Sequence, residues 1–285
     1  MRHTALVTLL KFSLLVLLAL AWCEGLSRLL TGGELASHPR LVSVLVVLVL
    51  VSSVLVVLTS QRWVQWLFRP HRVNVRDADA NLVCVAHILQ RQAASLNIPP
   101  PILYVYESAC LNAFIVGGIW RQQHLYLSQT LLRQLKTDEI EAVIAHEMAH
   151  VYYRDVVVNE AFYGMGMICQ YLLQHTFGKF LAMLTKTTNK KETAKSIAIA
   201  LVYGGLLLPL WLMMLLYSRR SEYRADALAS QLVGHQQYLW LLYRLKGMCR
   251  DNVFNLDRQP VLRDYFTSHP PIHHRINALE SSQHA

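Results

Sequence analysis

Long runs of hydrophobic residues dominate the N-terminal part of the chain. Residues 4–22 are apolar except for Lys11, and residues 41–58 hold no charge over eighteen positions. At about 1.5 Å per residue, the second run makes a helix of about 27 Å, which matches the core of a bilayer. The pattern predicts a hairpin of two transmembrane helices over residues 1–60. A cleaved signal peptide is the alternative for the first run, because Arg2 precedes it.

The middle of the chain has the shorter periodicities of a soluble α+β unit. Residues 77–97 carry apolar side chains at helical spacing, and Pro99-Pro100-Pro101 cannot continue that helix. Ser128 is a predicted N-cap, and Thr137 begins a longer helix that runs through His150. Three short apolar runs are predicted strands: 102–106, 112–115 and 124–127.

A second apolar region interrupts the C-terminal half of the chain. Residues 156–177 contain several polar side chains, whereas residues 197–217 hold no charge over 21 positions. We therefore predict one domain over residues 61–285, interrupted at about 156–217 by an apolar hairpin. The hairpin forms two further spans or helices on the membrane surface. Between the two runs lie five lysines, namely Lys179, Lys186, Lys190, Lys191 and Lys195.

Composition and charge agree with a membrane protein. Of the 285 residues, 54% are hydrophobic and 16% are charged, whereas soluble domains have about 25% charged residues. The net charge of +9 is typical of proteins that meet nucleic acid or anionic lipid. Because Arg-rich tracts and zinc-finger spacings are absent from the sequence, we expect membrane lipid as a partner and no nucleic acid. Five cysteines without a C-x-x-C pair argue against a disulfide framework.

Loop charge predicts the orientation of the N-terminal hairpin. The loop between its two apolar runs holds only Arg28 and Arg40 as basic residues, whereas four arginines follow the second run: Arg62, Arg69, Arg72 and Arg76. By the positive-inside rule, the chain from Arg62 onward lies in the cytoplasm. Trp63 and Trp66 fit an aromatic belt at that membrane boundary.

Candidate chemistry is concentrated at His146-Glu147-Met148-Ala149-His150. Residues four apart in a helix project from one face, so both imidazoles can reach one zinc ion. Glu147 lies beside the first ligand, where its carboxylate can accept a proton from an attacking water and return it to a leaving amine. The helical context argues against a chance match to H-E-x-x-H.

Glu222 and Asp226 are candidates for completing the metal site. A catalytic zinc takes three protein ligands, and these two acids are also four residues apart in a predicted helix. Glu222 can bind the metal while Asp226 holds a ligand histidine through its other ring nitrogen. The alternative is a solvated acidic pair among the neighbouring arginines Arg219, Arg220 and Arg224.

Together these motifs resemble the integral-membrane zinc metallopeptidases of the HtpX and CAAX prenyl protease type, which are gluzincins. The resemblance covers roughly residues 80–279. It implies a mainly α membrane protein with an α+β zincin-like metallopeptidase domain and a small edge-exposed β-sheet beside the H-E-x-x-H helix. The matching pieces are His146–His150, Glu222-x-x-Ala225-Asp226, Asn112-Ala113-Phe114, Asp138–Val143, Arg154-Asp155, and Ser268-His269-Pro270-Pro271 with Arg275.

The resemblance also implies roles for individual residues. It makes Glu222 the third zinc ligand and Asp226 the partner of His146. It places Asn112 on an edge strand, where an extended substrate pairs with the sheet. His269 would approach the site to stabilise the oxyanion or touch the metal; the alternative is a histidine in a surface loop.

Arg154 and Asp155 carry no predicted chemistry. We expect them to secure the end of the H-E-x-x-H helix.

The leading functional hypothesis is a multi-pass zinc endopeptidase of the bacterial inner membrane, which holds one Zn²⁺ per chain and acts in membrane protein quality control. Its site faces the cytoplasm and takes protein or peptide bound as an extended strand. Glu222 must meet His146 and His150 on one side of the membrane, so the intervening chain crosses twice or not at all.

Two alternatives remain at this point. A signalling protease would cleave one specific regulator, but the loop of about 18 residues between the first two runs is too short for a sensor domain. A non-catalytic scaffold would be stabilised by zinc, but the intact Glu147 argues against a purely structural site. The sequence gives no indication of an oligomeric state.

Overall fold

A computed structural model describes residues 39–76, 78–117, 122–161, 190–251 and 270–282. The first apolar run at 4–22, most of the run at 156–177, and His269 lie outside these residues. Within the part of the chain whose side chains are described, no helix is long and apolar enough to cross a membrane.

The chain divides into two compact units. One comprises Met1–Val56 with Val158–Met214, and the other comprises Val57–Val157 with Leu215–Ala285. In the described residues, the first unit contains the beginning of helix α1 (Pro39–Phe68) and of helix α5 (Lys190–Val233). The predicted membrane hairpins stay a prediction.

Helix α5 joins two features that the sequence pattern treats separately. The apolar run at 197–217 and the acidic pair Glu222 and Asp226 lie on one continuous helix of 44 residues. Neither glycine nor proline occurs between Pro209 and Gly234, so nothing in the sequence interrupts the helix there. Helix α5 ends at Val233, directly before Gly234, whose φ of 96° is readily adopted only by glycine.

The second unit contains a four-stranded sheet in the order β1-β2-β4-β3. Strands β2 and β4 are parallel, and the β1–β2 and β3–β4 pairs are antiparallel. The three predicted strands are present within one residue of their expected bounds, and β3 is one of the two edge strands of the sheet in the described residues. The strands are β1 (His71–Arg72), β2 (Ile102–Tyr106), β3 (Ala113–Val116) and β4 (His124–Ser128).

The two faces of the sheet differ in character because side chains alternate along each strand. Leu103, Leu125 and Leu127 face the main hydrophobic core. The opposite face carries aromatic rings, with Phe114 stacked on Tyr126 at a centroid distance of 5.1 Å. The C-terminal part of α1 packs on this aromatic face through Val64 and Phe68.

Helices cover the leucine-rich face. Helix α2 (Ala80–Ser95) begins where predicted within a few residues, because the Asp79 carboxylate accepts from the Leu82 N–H at 2.8 Å. Ser128 caps α3 (Gln129–Gln134) as predicted. Helix α4 (Thr137–Tyr153) contacts α2, α6 (His235–Asp251) and strand β3, and α6 contacts α7 (Ile272–Ser282).

Fully buried side chains fix α4 in this core. Ile144 and Met148 are both inaccessible to solvent and pack in the same cluster as Leu125 and Leu242. Burial of each such side chain stabilises the fold by about 1.5–3 kcal/mol. The H-E-x-x-H helix therefore lies in the main hydrophobic core of the unit, next to strand β3.

Candidate metal centre

Helices α4 and α5 bring the three predicted metal ligands together. His146 and His150 come from α4, and Glu222 comes from α5. One donor atom from each residue lies within 4.8 Å of the others. His146 Nε2 is 3.5 Å from Glu222 Oε2, and His150 Nε2 is 3.7 Å from Glu222 Oε1.

The spacing of these atoms fits a zinc ion. Tetrahedral zinc with bonds of about 2.0–2.2 Å separates its donor atoms by about 3.3–3.6 Å. The two distances to the Glu222 carboxylate come within a few tenths of an ångström of that range. Two imidazoles and one carboxylate are also a donor set that leaves one position of a catalytic zinc for water or substrate. Each histidine nitrogen therefore lies at a suitable distance from a carboxylate oxygen of Glu222, and the three side chains have the chemistry of a catalytic zinc site.

Asp226 lies on the other side of His146. Its Oδ1 is 3.1 Å from His146 Nδ1, so the Nε2 of His146 is left for the metal. Asp226 is 1% exposed, and two further residues donate to its carboxylate, Arg275 through both Nε and Nη2. The Tyr238 hydroxyl donates to Oδ1 at 2.6 Å, and Arg275 Nε donates to Oδ2 at 2.8 Å.

Arg275 connects both acids of the site. Its Nη1 lies 3.3 Å from Glu222 Oε2, while the same guanidinium binds Asp226. Arg275 appeared in the sequence motifs only as part of the C-terminal segment, and Tyr238 appeared in none. The hydroxyl of Tyr238 is also 3.0 Å from His146 Nδ1, so it contacts both members of the His146–Asp226 pair.

The charges around Asp226 and His146 shift the pKa of both. Burial favours the neutral acid of Asp226, but the Arg275 charge and the hydrogen bonds to His146 and Arg275 lower its pKa to about 2. Burial also lowers the pKa of His146, but its hydrogen bonds to Asp226 and Glu222 outweigh burial and raise that pKa to about 10. Without a bound metal, His146 is therefore protonated at neutral pH.

Glu147 lies between the two histidines in sequence and is half-buried on α4. The following residues, Met148 and Ala149, are fully buried in the core. Glu147 therefore keeps contact with solvent at the ligand-bearing part of α4, as its predicted role requires.

Asn112 directly precedes the edge strand β3, and both of its main-chain groups pair with β4. Its N–H donates to Ser128 Oγ at 3.0 Å, and its carbonyl accepts from the Ser128 N–H at 2.9 Å. Because hydrogen-bonded and non-hydrogen-bonded pairs alternate in an antiparallel ladder, Phe114 is the next residue to face β4. Ala113 and Ile115 therefore direct their main-chain groups away from β4, to the side of β3 where the described residues place no further strand.

The fold and the site define a metallopeptidase, and comparisons with known proteins give its family. The sequence model of Peptidase family M48 matches residues 83–283. The chain belongs to peptidase family M48, whose peptidases are zinc-dependent in general.

Two bacterial relatives illustrate the similarity in sequence. Protease HtpX of Actinobacillus pleuropneumoniae serotype 5b (strain L20) is 31% identical over 218 residues, covering 68% of this chain and 70% of that protein. Protease HtpX of Vibrio campbellii (strain ATCC BAA-1116) is 31% identical over 211 residues, with the same two shares.

A solved structure supports the fold. The crystal structure of S. mikatae Ste24p matches with a TM-score of 0.55 at 22% sequence identity, and the match covers 96% of this chain and 66% of that one.

Proposed function

We propose that this protein is a membrane-embedded zinc endopeptidase that holds one Zn²⁺ through His146, His150 and Glu222. The proposal rests on the convergence of these three side chains, whose donor atoms lie within 4.8 Å of one another and include a histidine–carboxylate distance of 3.5 Å. A zinc ion in this position would polarise the scissile carbonyl and make water a better nucleophile at neutral pH.

Glu147 is the proposed general base. Its position beside both histidines on a rigid helix lets its carboxylate accept a proton from the attacking water. The same group then donates that proton to the leaving amine, which would otherwise depart as a poor leaving group. Loss of the carboxylate charge should therefore abolish turnover while the metal ligands remain in place.

The Asp226 carboxylate has a supporting role in this proposal. It holds His146 Nδ1 and so keeps Nε2 available to the metal. Arg275 keeps the carboxylate ionised, and Arg275 and Tyr238 both hold its orientation. His269 stays a proposed contributor to oxyanion stabilisation, supported by its position in sequence just before α7, which contains Arg275.

Protein or peptide substrate is proposed to bind as an extended strand along β3. The open edge of this strand lies next to α4, and Ala113 and Ile115 offer main-chain donors and acceptors there. The Asn112 side chain, which is exposed just before β3 and neighbours the Tyr106 hydroxyl, is placed to add a contact to the substrate.

Membrane lipid is the proposed surrounding of the N-terminal runs, with the site on the cytoplasmic side of a bacterial inner membrane. Trp63 and Trp66, at the C-terminal end of α1, are 61% and 71% exposed, and Leu67 beside them is 65% exposed. Exposed tryptophans next to an apolar helix are typical of a membrane–water boundary. Degradation of damaged membrane proteins is the proposed biological role.

Zinc content and cleavage of an unfolded protein test this proposal. Purified wild-type protein should hold one zinc and cleave the substrate, whereas Glu147→Gln should hold zinc without cleaving. Glu141→Gln is a matched control, because it changes the same residue type on the same helix at a surface pair with Arg91. Zinc-free wild-type protein, or equal cleavage by wild type and Glu147→Gln, would overturn it.

These findings affect the two alternative functions, a non-catalytic scaffold and a signalling protease, in different ways. Membership of a peptidase family argues against a non-catalytic scaffold. A signalling protease shares the same site chemistry and differs in cleaving a single regulator, so a comparison of cleaved proteins in cells with and without Glu147→Gln distinguishes it from a quality-control enzyme.

A further inference from the structure

His150 has a buried carboxylate at its Nδ1, as His146 does. Asp155 Oδ2 lies 3.5 Å from His150 Nδ1, and Asp155 is 0% exposed. Within the described residues, neither of these two atoms has a hydrogen-bond partner. Two buried polar atoms that face each other without another partner are a costly arrangement unless a small movement joins them.

The chemistry of imidazole makes this pair complementary. A neutral histidine that offers Nε2 to a metal carries its proton on Nδ1, which then needs an acceptor. Asp155 Oδ2 is an acceptor in the required place. A carboxylate at this position fixes both the tautomer and the ring orientation of the ligand.

The other oxygen of Asp155 is held by helix α5. The Tyr217 hydroxyl donates to Asp155 Oδ1 at 2.9 Å, and Arg224 Nη2 donates to the same atom at 2.8 Å. The Arg224 guanidinium also lies 5.2 Å from the centre of the Tyr153 ring. Because both donors bind Oδ1 of Asp155, its Oδ2 is left facing His150.

A strained backbone residue brings Asp155 to this position. Arg154 ends helix α4 with φ 61° and ψ 28°, a left-handed conformation that is unfavourable for a residue with a side chain. In an uninterrupted helix, Asp155 would lie five positions after His150 and be rotated about 140° away from it. The left-handed residue is therefore what allows Asp155 to face His150.

We propose that Asp155, held by Tyr217 and Arg224, is the positioning residue of His150. It is the counterpart of Asp226, which faces His146 and is held by Tyr238 and Arg275. Each ligand histidine thus has its own carboxylate, and each carboxylate receives one tyrosine and one arginine. The inference rests on the zinc site of the proposed function.

The zinc dissociation constant of the purified full-length protein tests this inference, measured by competition with a chelator. Asp155→Asn should weaken zinc binding by about 10–100-fold. Tyr217→Phe should weaken it several-fold, and the double variant should be no weaker than Asp155→Asn, because the tyrosine acts through the carboxylate. Two controls, Asp138→Asn in the exposed first turn of α4 and Tyr243→Phe at a surface hydrogen bond, should bind zinc like the wild type.

A spectroscopic measurement separates positioning from folding. With Co²⁺ as the probe metal, Asp155→Asn should alter the visible absorption bands, because the ligand geometry changes, while the two controls should not. Thermal unfolding of the metal-free variants shows whether they fold. If Asp155→Asn does not fold, the Tyr217→Phe variant tests the proposal instead, because it keeps the Asp155 carboxylate.

The possible failures are distinguishable. Wild-type protein that binds no zinc contradicts the proposed function itself. Wild-type protein that binds zinc, together with Asp155→Asn and Tyr217→Phe variants whose dissociation constants lie within about twofold of it, leaves the zinc site intact and overturns the role of Asp155.

Discussion

Arg275 donates from Nε to Asp226 Oδ2 at 2.8 Å, while its Nη1 lies 3.3 Å from Glu222. One positive charge thus lies between two buried carboxylates that serve the same metal site. The carboxylates would otherwise repel each other in a region with little water to screen them. We therefore expect Arg275 to stabilise the folded protein by offsetting the charges of these two carboxylates.

Replacement of Arg275 by glutamine should strongly destabilise the metal-free protein. The change leaves Asp226 and Glu222 buried without their partner, which costs about 3–5 kcal/mol in comparable buried pairs. Bound zinc should recover part of this loss, because its charge also offsets the two carboxylates. Urea unfolding with and without zinc measures both effects.

Arg91→Gln is the matched control for that variant. Arg91 pairs with Glu141 at the surface, and its side chain is 65% exposed. An exposed pair contributes about 0–1 kcal/mol, so this variant should unfold close to the wild type. Equal stability of the Arg275→Gln and Arg91→Gln variants would contradict the structural role of Arg275.

Zinc binding should strengthen with rising pH between about pH 7 and about pH 9. The pKa of His146 is raised to about 10 by Asp226 and Glu222, although burial acts against this. Zinc must therefore displace one proton from His146 below that pH, which gives a slope of about one unit in log affinity per pH unit. Calorimetry in buffers of different ionisation enthalpy counts the released protons. An affinity that is constant over this range would show that His146 is already neutral.

The metal-free protein should lose stability at both ends of the pH scale because of the His146–Asp226 pair. Asp226 has a lowered pKa of about 2, so its contribution is present above its ordinary value of 3.8 and is lost as the pH falls through about 2. His146 has a raised pKa, so its contribution is present below 6.5 and is lost as the pH rises through about 10. In Asp226→Asn, unfolding followed against pH should show a weaker dependence in both windows. An unchanged pH profile in that variant would assign the stability to other groups.

If substrate pairs along β3, only every second backbone nitrogen of a peptide substrate should matter for its cleavage. Because Ala113 and Ile115 direct their main-chain groups outward, methylation of alternate backbone nitrogens in a peptide substrate should lower kcat/KM, by about tenfold for each lost hydrogen bond. Methylation of the intervening nitrogens should have little effect. Peptidase assays on a series of singly methylated peptides give the pattern, and a uniform effect at all positions would exclude strand addition.

Ala113→Pro tests the same edge from the side of the protein. Proline is tolerated in an edge strand where the lost N–H faces away from the sheet. The variant should fold and bind zinc, with a raised KM for extended peptides. Loss of zinc binding in this variant would show that β3 supports the metal site instead.

Local patterns in the sequence predict much of this structure. The H-E-x-x-H helix, the capped helices and three strands follow from periodicity and from side chains such as Asp79 and Ser128 that act within a few residues. Glu222 and Asp226 share a helix face because of their spacing. Strand β1 has only two residues and forms by pairing with β2, so no local pattern indicates it.

The supporting residues of the metal centre are harder to predict, since tertiary packing places them. Tyr238 lies in an ordinary helical pattern, and only the contact of α6 with α4 brings its hydroxyl to Asp226. The sequence predicts that Arg154 and Asp155 together secure the end of α4. That description suits Arg154, whose left-handed backbone ends α4, but no glycine or proline in the sequence signals this turn.

The continuity of helix α5 limits which changes in its sequence the protein can accept. Glu222 and Asp226, which face the two histidines, and Tyr217 and Arg224, which bind Asp155, all lie on one uninterrupted stretch of this helix. Insertion or deletion of a single residue among them would rotate those on one side by about 100° relative to the others. Substitutions at the other positions of this stretch would leave these four side chains in place, whereas a change in its length between Tyr217 and Asp226 would not.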